Sequence, residues 1–479
     1  MNFRAVIAIQ GLLLIFQGFF MLLPLGFSLY YGDDDVVPIL VSAGITLAAG
    51  FLLRLLFRFQ GELRLKESFA TVSLGWVFAA LFGALPFIIS GYIPSFTNAF
   101  FESMSGFTTT GATILADIEA LPHGLLFWRS LTHWLGGMGI IVLSLAILPL
   151  MGVGGMQLYK AEIPGPTPDK LTPRIQQTAK SLWGVYVLLS VVETGLLMAG
   201  GLNLFDGLCH TFGSMATGGF STKTASIGHF NSVYIEAVVI VFMVLAGTNF
   251  ALHFHSLKGR PSAYWKSEEF RFYLGVILFF TVLLTAANAL AFFPKVLDSF
   301  RYSAFHVVSI TTTTGFTTFD FGQWPAAARI ILLILMFIGG SAGSTGGSIK
   351  ILRIMILVKQ VRAELKKLLH PRAVISVRVD GQPVQPRVVI NILSFIFLYI
   401  MIFIAASLVM GLLGLDLDSA FSSVAATLGN VGPGLGIVGP AAHYFHVPML
   451  GKWILAFCML AGRLEIYTVL VLCTREFWK

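Results

Sequence analysis

Long apolar stretches separated by short polar connections organise the whole chain. A helix that crosses a lipid bilayer needs about 20 mostly apolar residues, and the chain contains ten segments of this kind. They are residues 6–30, 36–57, 70–91, 126–150, 181–200, 233–254, 272–293, 327–358 (interrupted by glycines), 389–412 and 450–473. This pattern predicts an all-α integral membrane protein.

Half-apolar segments that are too short to cross a membrane lie between some of these spans. Each ends in small residues, threonine and glycine: FFESMSGFTTTGAT (100–113), LCHTFGSMATGGFS (208–221), FHVVSITTTTGFTT (305–318) and FSSVAATLGNVGPG (421–434). We align them on Gly111, Gly218, Gly315 and Gly432. Twelve residues upstream lie Ala99, Asp206, Ser303 and Ala420, where small or polar residues predict that each short helix begins.

The recurrence predicts an internal repeat of helix, re-entrant half-helix with an extended segment, and helix. Two extra helices precede the four copies. The predicted units are residues 1–66 for the extra helices, then repeats at 67–158, 159–262, 263–370 and 371–479, the last with a cytoplasmic connection at its start.

Irregular backbone at membrane depth is tolerated where it is buried in protein or lines water. Four copies can surround one axis, and segments such as SITTTTGFTTF (309–319) would then present rings of backbone carbonyls to it. Such rings replace the hydration shell of a monovalent cation. Threonine hydroxyls would add a further oxygen ring, and the negative ends of the short helices would favour a cation. The alternative is that the small residues only pack helices closely.

Composition agrees with a membrane protein, because 56% of the residues are hydrophobic and 11% are charged, against about 25% charged in soluble domains. The net charge of +8 comes from basic loops between spans and does not indicate nucleic-acid binding. These loops, at 54–66, 160–180, 256–271 and 350–387, predict that they and both termini are cytoplasmic. The N-terminal apolar run is too long for a cleaved signal peptide, so we interpret it as a retained helix.

A second glycine-rich segment, FIGGSAGSTGGSIKILR (337–353), lies inside an apolar span. Because each glycine destabilises a helix by roughly 1 kcal/mol relative to alanine, we expect a broken helix with a flexible loop. The alternative is close helix packing. The segment is not a phosphate-binding loop, since Lys350 follows Ile349, and the GxGxxG pattern at 434–439 is closed by Pro440 rather than by a helix. We therefore expect no cofactor in this chain.

Charged and polar residues within spans are functional candidates. Arg463 either offsets the negative field of the filter or anchors the carbonyl ends of a pore helix, and Glu465, two residues on, is expected to point elsewhere on the same helix. Glu193 is interpreted as a buried, hydrogen-bonded carboxylate. Asp320 would concentrate cations at the outer mouth or be an ordinary loop acid. Physical reasoning assigns no role to Asn249.

The histidines and cysteines do not form a transition-metal or disulfide pattern. His253 and His255 are two residues apart and so face different sides of a helix, whereas His210 and His306 are expected to form hydrogen bonds inside the short helices. The three cysteines, Cys209, Cys458 and Cys473, are widely separated. No nucleophile, base and orienting group emerge together, which argues against an enzyme.

The longest polar connection, ELKKLLHPRAVISVRVDGQPVQPR (364–387), has alternating apolar residues around Asp380-Gly381, a hairpin pattern. It is either a docking site for a soluble partner or a solvated connector.

The motifs TTTGAT, MATGGFST, TTTTGFTT and GNVGPGLG, each between two spans, resemble the four filters of the Trk/Ktr/HKT superfamily of potassium transporters. The two extra helices and HWLGGMGI (133–140) resemble its bacterial TrkH type. The resemblance implies pseudo-fourfold repeats around one pore, potassium uptake across the inner membrane, homodimers, and a cytosolic ring of nucleotide-binding (NAD or ATP type) regulator subunits docked on the cytoplasmic connection. Gly111 favours potassium over sodium, because family members with serine there transport sodium.

The repeat and the resemblance together predict the site residues. The predicted filter, which would bind potassium, consists of Thr109, Thr110, Gly111, Ala112, Ala216, Thr217, Gly218, Gly219, Thr313, Thr314, Gly315, Phe316, Asn430, Val431, Gly432 and Pro433. The resemblance implies an intramembrane gate at Gly339, Gly340, Ser341, Ala342, Gly343, Ser344, Thr345, Gly346, Gly347 and Ser348. It also implies that Arg463 lies near the permeation path and that Asn249 occupies a family position.

The leading hypothesis is a gated, potassium-selective pathway driven by the membrane potential. The first alternative is a proton- or sodium-coupled symporter, which would use the same filter as a binding site but usually carries a relay of intramembrane acids. The second is an intramembrane enzyme, for which paired catalytic groups are not found. A sodium or ammonium preference stays open.

Overall fold

The computed structural model describes residues 1–57, 65–139, 175–373 and 375–478, and most of these residues are helical, with very little strand. The predicted all-α class is therefore confirmed. Parts of three predicted elements lie outside the described residues: the middle of the basic loop 54–66, the span 126–150 beyond residue 139, and most of the basic loop 160–180.

The two N-terminal helices pack closely on each other. The first runs through Phe3–Phe20 and Leu25–Tyr31, and the second is Val36–Leu56. A Cβ atom on either Gly11 or Gly50 would lie 2.8 Å from the carbonyl oxygen of the other, so the missing side chains allow this close approach. Gln10 and Gln17 then donate hydrogen bonds to backbone carbonyls of the next helix.

The first helix of each repeat crosses the membrane, and a short pore helix follows it. In the described residues the first helices are Leu65–Gly83 with Leu85–Ile89, Ile175–Ala199, Glu268–Ala291 and Pro386–Leu412. Pore helices 1 to 4 are Phe96–Phe107, Leu204–Met215, Val296–Thr311 and Leu417–Leu428.

Pore helices 1, 2 and 4 begin within three residues of the predicted point, and pore helix 3 begins seven residues before it. Ala99, Asp206, Ser303 and Ala420 lie inside them rather than at their starts. The reason is visible in pore helices 2 and 4, where Asn203 and Asp416 accept hydrogen bonds from the backbone N–H groups of Asp206 and Ser419. These side chains cap the orphan N–H groups of the first turn.

The second helices are interrupted where they pass the ends of the pore helices. They comprise His123–Trp134, followed by a π-helical turn at Leu135–Gly139; Val233–Ala246 and Phe250–Leu257; Ala326–Leu335 and Ile351–Leu369; and Met449–Arg463 with Tyr467–Leu470. Small connecting helices lie at Ser226–Phe230, Ser262–Lys266, Phe321–Gln323, Gly436–Val438, Tyr444–His446, Val471–Cys473 and Arg475–Trp478.

The prediction that 233–254 and 450–473 are continuous spans is wrong. The first bends by 100° at residues 247–249 and the second by 115° at residues 464–466. Asn249 caps the new helix in the first bend, whereas Glu465 and Ile466 both take a φ of 55° in the second. Neither of these two bends has the glycine-rich sequence that predicted the break in repeat 3.

Six helices in the described residues are long and apolar enough to cross a membrane, or eight if each bent pair forms one span. Their outward faces carry exposed apolar side chains, such as Leu290 and Leu412, which are 88% and 79% exposed. Exposed apolar surface of this extent fits contact with lipid. The buried core lies between the helices and around the pore helices.

The long polar connection before repeat 4 contains the predicted hairpin. Strands Arg378–Val379 and Gln382–Pro383 pair antiparallel across a turn at Asp380 and Gly381. The carboxylate of Asp380 accepts a hydrogen bond of 2.7 Å from the N–H of Glu268, which attaches the hairpin to the start of the first helix of repeat 3.

Candidate functional site

The backbone follows the same unusual path after each of the four described pore helices. Two residues before a glycine, φ is 50° at Thr109, 54° at Thr217, 60° at Thr313 and 53° at Asn430. A β-branched residue with positive φ is rare, and such strain clusters at functional sites. The glycines that follow also have positive φ, between 78° and 98°, and they are Gly111, Gly219, Gly315 and Gly432.

This path corrects the predicted register of the second filter. Gly219, rather than Gly218, is the structural equivalent of Gly111. Gly218 instead occupies the position of Thr110, because both N–H groups bond to the carbonyl five residues earlier, on Gly213 and Ser105. The equivalent filter segment of repeat 2 is therefore 217–220, which adds Phe220 and leaves Ala216 as the residue that ends pore helix 2.

The four filters close into one ring. A Cβ atom on Gly111 would lie 2.1 Å from the carbonyl oxygen of Gly218 in the next repeat. The same contact recurs around the ring. The distance from the glycine Cβ to the carbonyl oxygen of the neighbouring repeat is 2.0 Å for Gly219 and Thr314, 2.0 Å for Gly315 and Val431, and 2.6 Å for Gly432 and Thr110. Each glycine is thus required because the carbonyl of a neighbouring repeat fills the side-chain position, and the predicted pseudo-fourfold arrangement around one axis is confirmed.

Threonine hydroxyls next to the ring are held by neighbouring side chains. The hydroxyl of Thr110 lies 2.8 Å from that of Thr108 and accepts a hydrogen bond of 2.9 Å from the Asn430 amide. The hydroxyl of Thr314 lies 2.8 Å from that of Thr312. These contacts hold the filter side chains in place, and a separate ring of hydroxyl oxygens stays a prediction.

Polar side chains on the pore helices hold the segments that follow the filters. Nine residues before the filter glycine, His210 lies 2.8 Å from the Ser221 hydroxyl, and Nε2 of His306 lies 3.1 Å from the Phe319 carbonyl oxygen. Both histidines are fully buried. The prediction that they form hydrogen bonds inside the pore helices is confirmed. In repeat 4 the Ser422 hydroxyl plays this part by accepting from the N–H of Leu435 at 2.7 Å.

A buried ion pair supports the first two filters, and sequence reasoning missed it. Glu102 occupies the same pore-helix position as His210 and accepts hydrogen bonds from the Thr113 hydroxyl and the Ile114 N–H, both at 2.9 Å. Arg129 donates to Glu102 at 2.7 Å and to the Ser221 carbonyl at 2.9 Å.

The guanidinium group of Arg129 also lies 3.5 Å from the ring centroid of Phe220, which is part of the corrected second filter. Arg129 is 2% exposed and Glu102 is 1% exposed, so the pair is shielded from solvent. The only signal in the sequence was a single arginine within the apolar run FWRSLTHW.

The glycine-rich loop at 336–350 crosses against the C-terminal ends of the pore helices. On the side of repeat 2, the Thr345 hydroxyl donates to the carbonyls of Met215 and Ala246, each at 3.1 Å. The N–H of Ser341 donates to the Gly247 carbonyl at 2.8 Å. The loop is therefore tied both to the end of pore helix 2 and to the break in the helix that follows it.

The same loop contacts the filter segments of repeats 3 and 4. The N–H of Gly347 donates to the Thr313 hydroxyl at 2.7 Å. A Cβ atom on Gly347 would lie 2.7 Å from the Gly429 carbonyl and 2.8 Å from Cβ of Asn430. The absence of a side chain at Gly347 thus lets the loop lie directly against two filters.

Arg463 joins this loop to the first repeat. It donates to the Thr345 carbonyl at 2.6 Å and to the carbonyls of Gly136 and Gly137, both at 2.8 Å. Gly136 and Gly137 belong to the π-helical turn of repeat 1. Arg463 therefore anchors backbone carbonyls, but these belong to the loop and to the second helix of repeat 1, whereas the prediction had placed them at the end of a pore helix.

Glu465 does not lie on the same helix as Arg463, and the prediction that it does is wrong. The helix ends at Arg463, and Glu465 forms a buried ion pair with Arg353 in the helix after the loop. The guanidinium group of Arg353 also lies 4.0 Å from the Phe395 ring centroid. This pair explains how the strained turn at 464–466 is held, because it attaches that turn to a second helix.

The remaining polar candidates have structural contacts. The Glu193 carboxylate is fully buried and accepts a hydrogen bond from the Ser214 hydroxyl, as predicted. Asp320 accepts two bonds within its own turn, at 3.0 Å each, from the Gly322 N–H and the Gln323 amide, which favours an ordinary loop role. Asn249 caps the helix that begins at Phe250.

The glycine-rich loop is also connected to the hairpin. The N–H of Ala342 donates to the Glu269 carboxylate at 2.6 Å. The neighbouring Glu268 pairs with Lys359, and Lys359 donates to the Arg378 carbonyl in the hairpin at 2.7 Å. Of these two adjacent glutamates, Glu268 is thus linked to the hairpin and Glu269 to the loop. Within the described residues, no group of three or more histidine, cysteine, aspartate or glutamate residues is placed to hold a metal ion.

Comparison with known proteins agrees with this geometry. A family model described as TrkH, cation transport protein, matches residues 39–478. The chain is 45% identical to "Trk system potassium uptake protein TrkH" of Salmonella typhimurium, and the match covers 100% of both chains. It is 35% identical to "Trk system potassium uptake protein TrkG" of Escherichia coli over 99% of both. The crystal structure of the potassium transporter TrkH from Vibrio parahaemolyticus superimposes with a TM-score of 0.90 at 40% identity, over 100% of each chain.

Proposed function

The chain belongs to the TrkH family of cation transport proteins, and on this basis we propose that it is the potassium-translocating subunit of a bacterial potassium uptake system. The observation that carries the proposal is the closed ring of backbone carbonyls. Such a ring replaces the hydration shell of a monovalent cation. Influx would be driven by the membrane potential, which is worth about 2.3 kcal/mol per charge per 100 mV.

Potassium ions would bind, as the transported cargo, at the ring formed by the four filters. In the corrected register, the segments that would provide the ligands are residues 109–112, 217–220, 313–316 and 430–433. The pore helices end at these segments, so the negative ends of their dipoles favour a cation at the axis. The glycine at position 111, in place of serine, favours potassium over sodium.

The loop at 339–348 would act as the gate. It lies against the filter segments of repeats 3 and 4, reaches the end of pore helix 2, and is joined to repeat 1 through Arg463. A loop in this position obstructs the axis, so conduction requires that some of these bonds break. Arg463 would add a positive charge near the cation path as well as anchoring the closed loop.

Opening of the gate would be regulated by a partner in the cytoplasm. The hairpin at 378–383 is attached through Glu268 and Lys359 to elements that contact the gate, which supports docking of a cytosolic nucleotide-binding regulator ring there. We further propose a homodimer in the bacterial inner membrane, with both termini in the cytoplasm. The repeat boundaries stay as proposed: 1–66, 67–158, 159–262, 263–370 and 371–479.

A proton- or sodium-coupled symporter is the second candidate, and one observation favours it. Glu193 places a fully buried carboxylate beside pore helix 2, bonded to Ser214 three residues before the Thr217 filter segment. Intramembrane acids often take part in ion coupling. In this case the same carbonyl ring would act as a binding site rather than as an open pathway.

The test is rubidium uptake into proteoliposomes that contain this chain alone, with an inside-negative potential and no other ion gradient. Uptake under the potential alone supports the channel-like proposal, and uptake that requires an added proton or sodium gradient supports the symporter.

Gly315→Ser should abolish uptake or admit sodium, because its Cβ would lie 2.0 Å from the Val431 carbonyl. Gly275→Ser is the matched control, because a Cβ there meets nothing within 4 Å.

A further inference from the structure

The second filter differs from the others at the residue before its glycine. That residue is β-branched in repeats 1, 3 and 4, where it is Thr110, Thr314 and Val431. In repeat 2 it is Gly218, whose φ is not in the left-handed region. Backbone conformation therefore does not explain the glycine, and some other structural feature has to occupy the space of the missing side chain.

The imidazole ring of His133 occupies this space. A Cβ atom on Gly218 would lie 2.6 Å from both Cγ and Cδ2 of His133, a distance that side-chain packing does not permit. His133 comes from the second helix of repeat 1 and is fully buried. Its ring stacks on Phe220 with centroids 4.0 Å apart, so the ring contacts the second filter on both sides of Gly219.

The ring also forms a hydrogen bond with pore helix 1. The Nδ1 atom lies 2.7 Å from the Gly106 carbonyl oxygen. A carbonyl accepts only, so Nδ1 carries the proton and donates. His133 is thereby held between the end of one pore helix and the backbone of the neighbouring filter.

We propose that His133 is a positioning residue that sets the selectivity of the second filter by acting as the missing side chain of Gly218. The proposal rests on the proposed function of the ring as a potassium filter. The Gly218 carbonyl is one of the four ring oxygens and faces Gly111 of repeat 1. Packing of the imidazole behind Gly218 holds this oxygen at its place, as the β-branched side chains do in the other repeats.

The experiment measures the ratio of rubidium to sodium uptake in proteoliposomes of the full chain. We expect His133→Ala to lower this ratio by roughly tenfold, because a site that loses its supporting packing loosens. Gly218→Val copies Val431 and should suppress uptake on its own, since the new side chain overlaps His133. The double variant His133→Ala/Gly218→Val should regain most of the wild-type ratio. A merely structural histidine would not be rescued in this way.

His133→Phe separates packing from hydrogen bonding, because it keeps a ring but cannot donate to Gly106. We expect it to keep the selectivity of the wild type, and a folded His133→Phe protein with the low ratio of the alanine variant would overturn the proposal. His253→Ala removes another buried histidine, which bonds to Tyr264 and to the Leu245 carbonyl, and should leave the ratio unchanged.

Two further outcomes distinguish the proposals. If the wild type takes up rubidium selectively and His133→Ala keeps the same ratio, the role of His133 is refuted while the proposed function stands. If the wild type shows no uptake under any gradient, the proposed function itself fails. Should His133→Ala not yield folded protein, the double variant and His133→Phe decide the question.

Discussion

The hydroxyl group of Thr313 accepts a hydrogen bond of 2.7 Å from the backbone N–H of Gly347. Thr313 lies in the third filter with a φ of 60°, and Gly347 lies in the intramembrane loop. The predicted filter and the predicted gate are therefore in direct contact, so movement of the loop changes the surroundings of a filter residue.

Thr313→Val removes the acceptor but keeps the β-branched shape. The Gly347 N–H then loses its partner, and an unpaired buried N–H costs about 1–3 kcal/mol. We expect the equilibrium to shift towards the open loop by roughly 5- to 150-fold, seen as a higher open probability in single-channel recordings.

Thr217→Val is the matched control for this change. Thr217 has the equivalent backbone conformation in repeat 2, but its hydroxyl donates to the Ala216 carbonyl and not to the loop. An equal rise in open probability in both variants would mean that filter strain, rather than the bond to the loop, controls opening.

Arg463 combines a charge with three bonds to backbone carbonyls, and two substitutions separate these contributions. Arg463→Lys keeps the charge but loses the planar fork of donors. Hydrogen bonds to charged groups contribute about 1.5–3 kcal/mol each, so we expect the lysine variant to raise open probability while conductance stays unchanged. Arg463→Met should raise open probability and also change conductance.

Single-channel recording distinguishes the two effects, with Arg329→Met as the control. Arg329 pairs with the side chain of Asp418 at 3.2 Å and is one-third exposed. A lysine variant that behaves like the wild type in both respects would show that the charge alone matters.

The sequence predicted the elements whose signals are local. Pore helices and filters were found because short apolar segments ending in Thr and Gly recur between spans, and the hairpin was found from Asp380-Gly381. The break at 336–350 was found because its glycines disfavour a helix. Each of these features is encoded by residues that lie next to one another in the chain.

Features that depend on tertiary contacts were missed. The bend at 464–466 is built from Leu464, Glu465 and Ile466, which are acceptable in a helix, and it is held by the distant Arg353. The adjacent Gly218 and Gly219 gave two possible registers, and only the contact with His133 and the ring of carbonyls separates them. The Glu102–Arg129 pair joins residues 27 positions apart and has no local pattern.

The Glu102–Arg129 pair should dominate stability around the first two filters. Glu102→Gln leaves Arg129 buried without its counter-charge, and breaking a buried pair costs about 3–5 kcal/mol. Asp418→Asn breaks the exposed pair with Arg329, where the expected loss is about 0–1 kcal/mol. Thermal unfolding followed by fluorescence-detected size exclusion compares them, and equal losses would contradict a special role for the buried pair.

The corrected register makes a prediction about Gly219. Gly219→Ala requires a Cβ atom 2.0 Å from the Thr314 carbonyl oxygen, in a residue whose φ is 78°. Because that oxygen belongs to the ring, we expect rubidium uptake to be lost. Gly201→Ala is matched for backbone strain, since φ there is 99° but a Cβ meets nothing within 4 Å. It should cost about 1 kcal/mol of stability and leave uptake intact. If the folded Gly219→Ala variant takes up rubidium normally, the corrected register is wrong and Gly218 is the equivalent of Gly111.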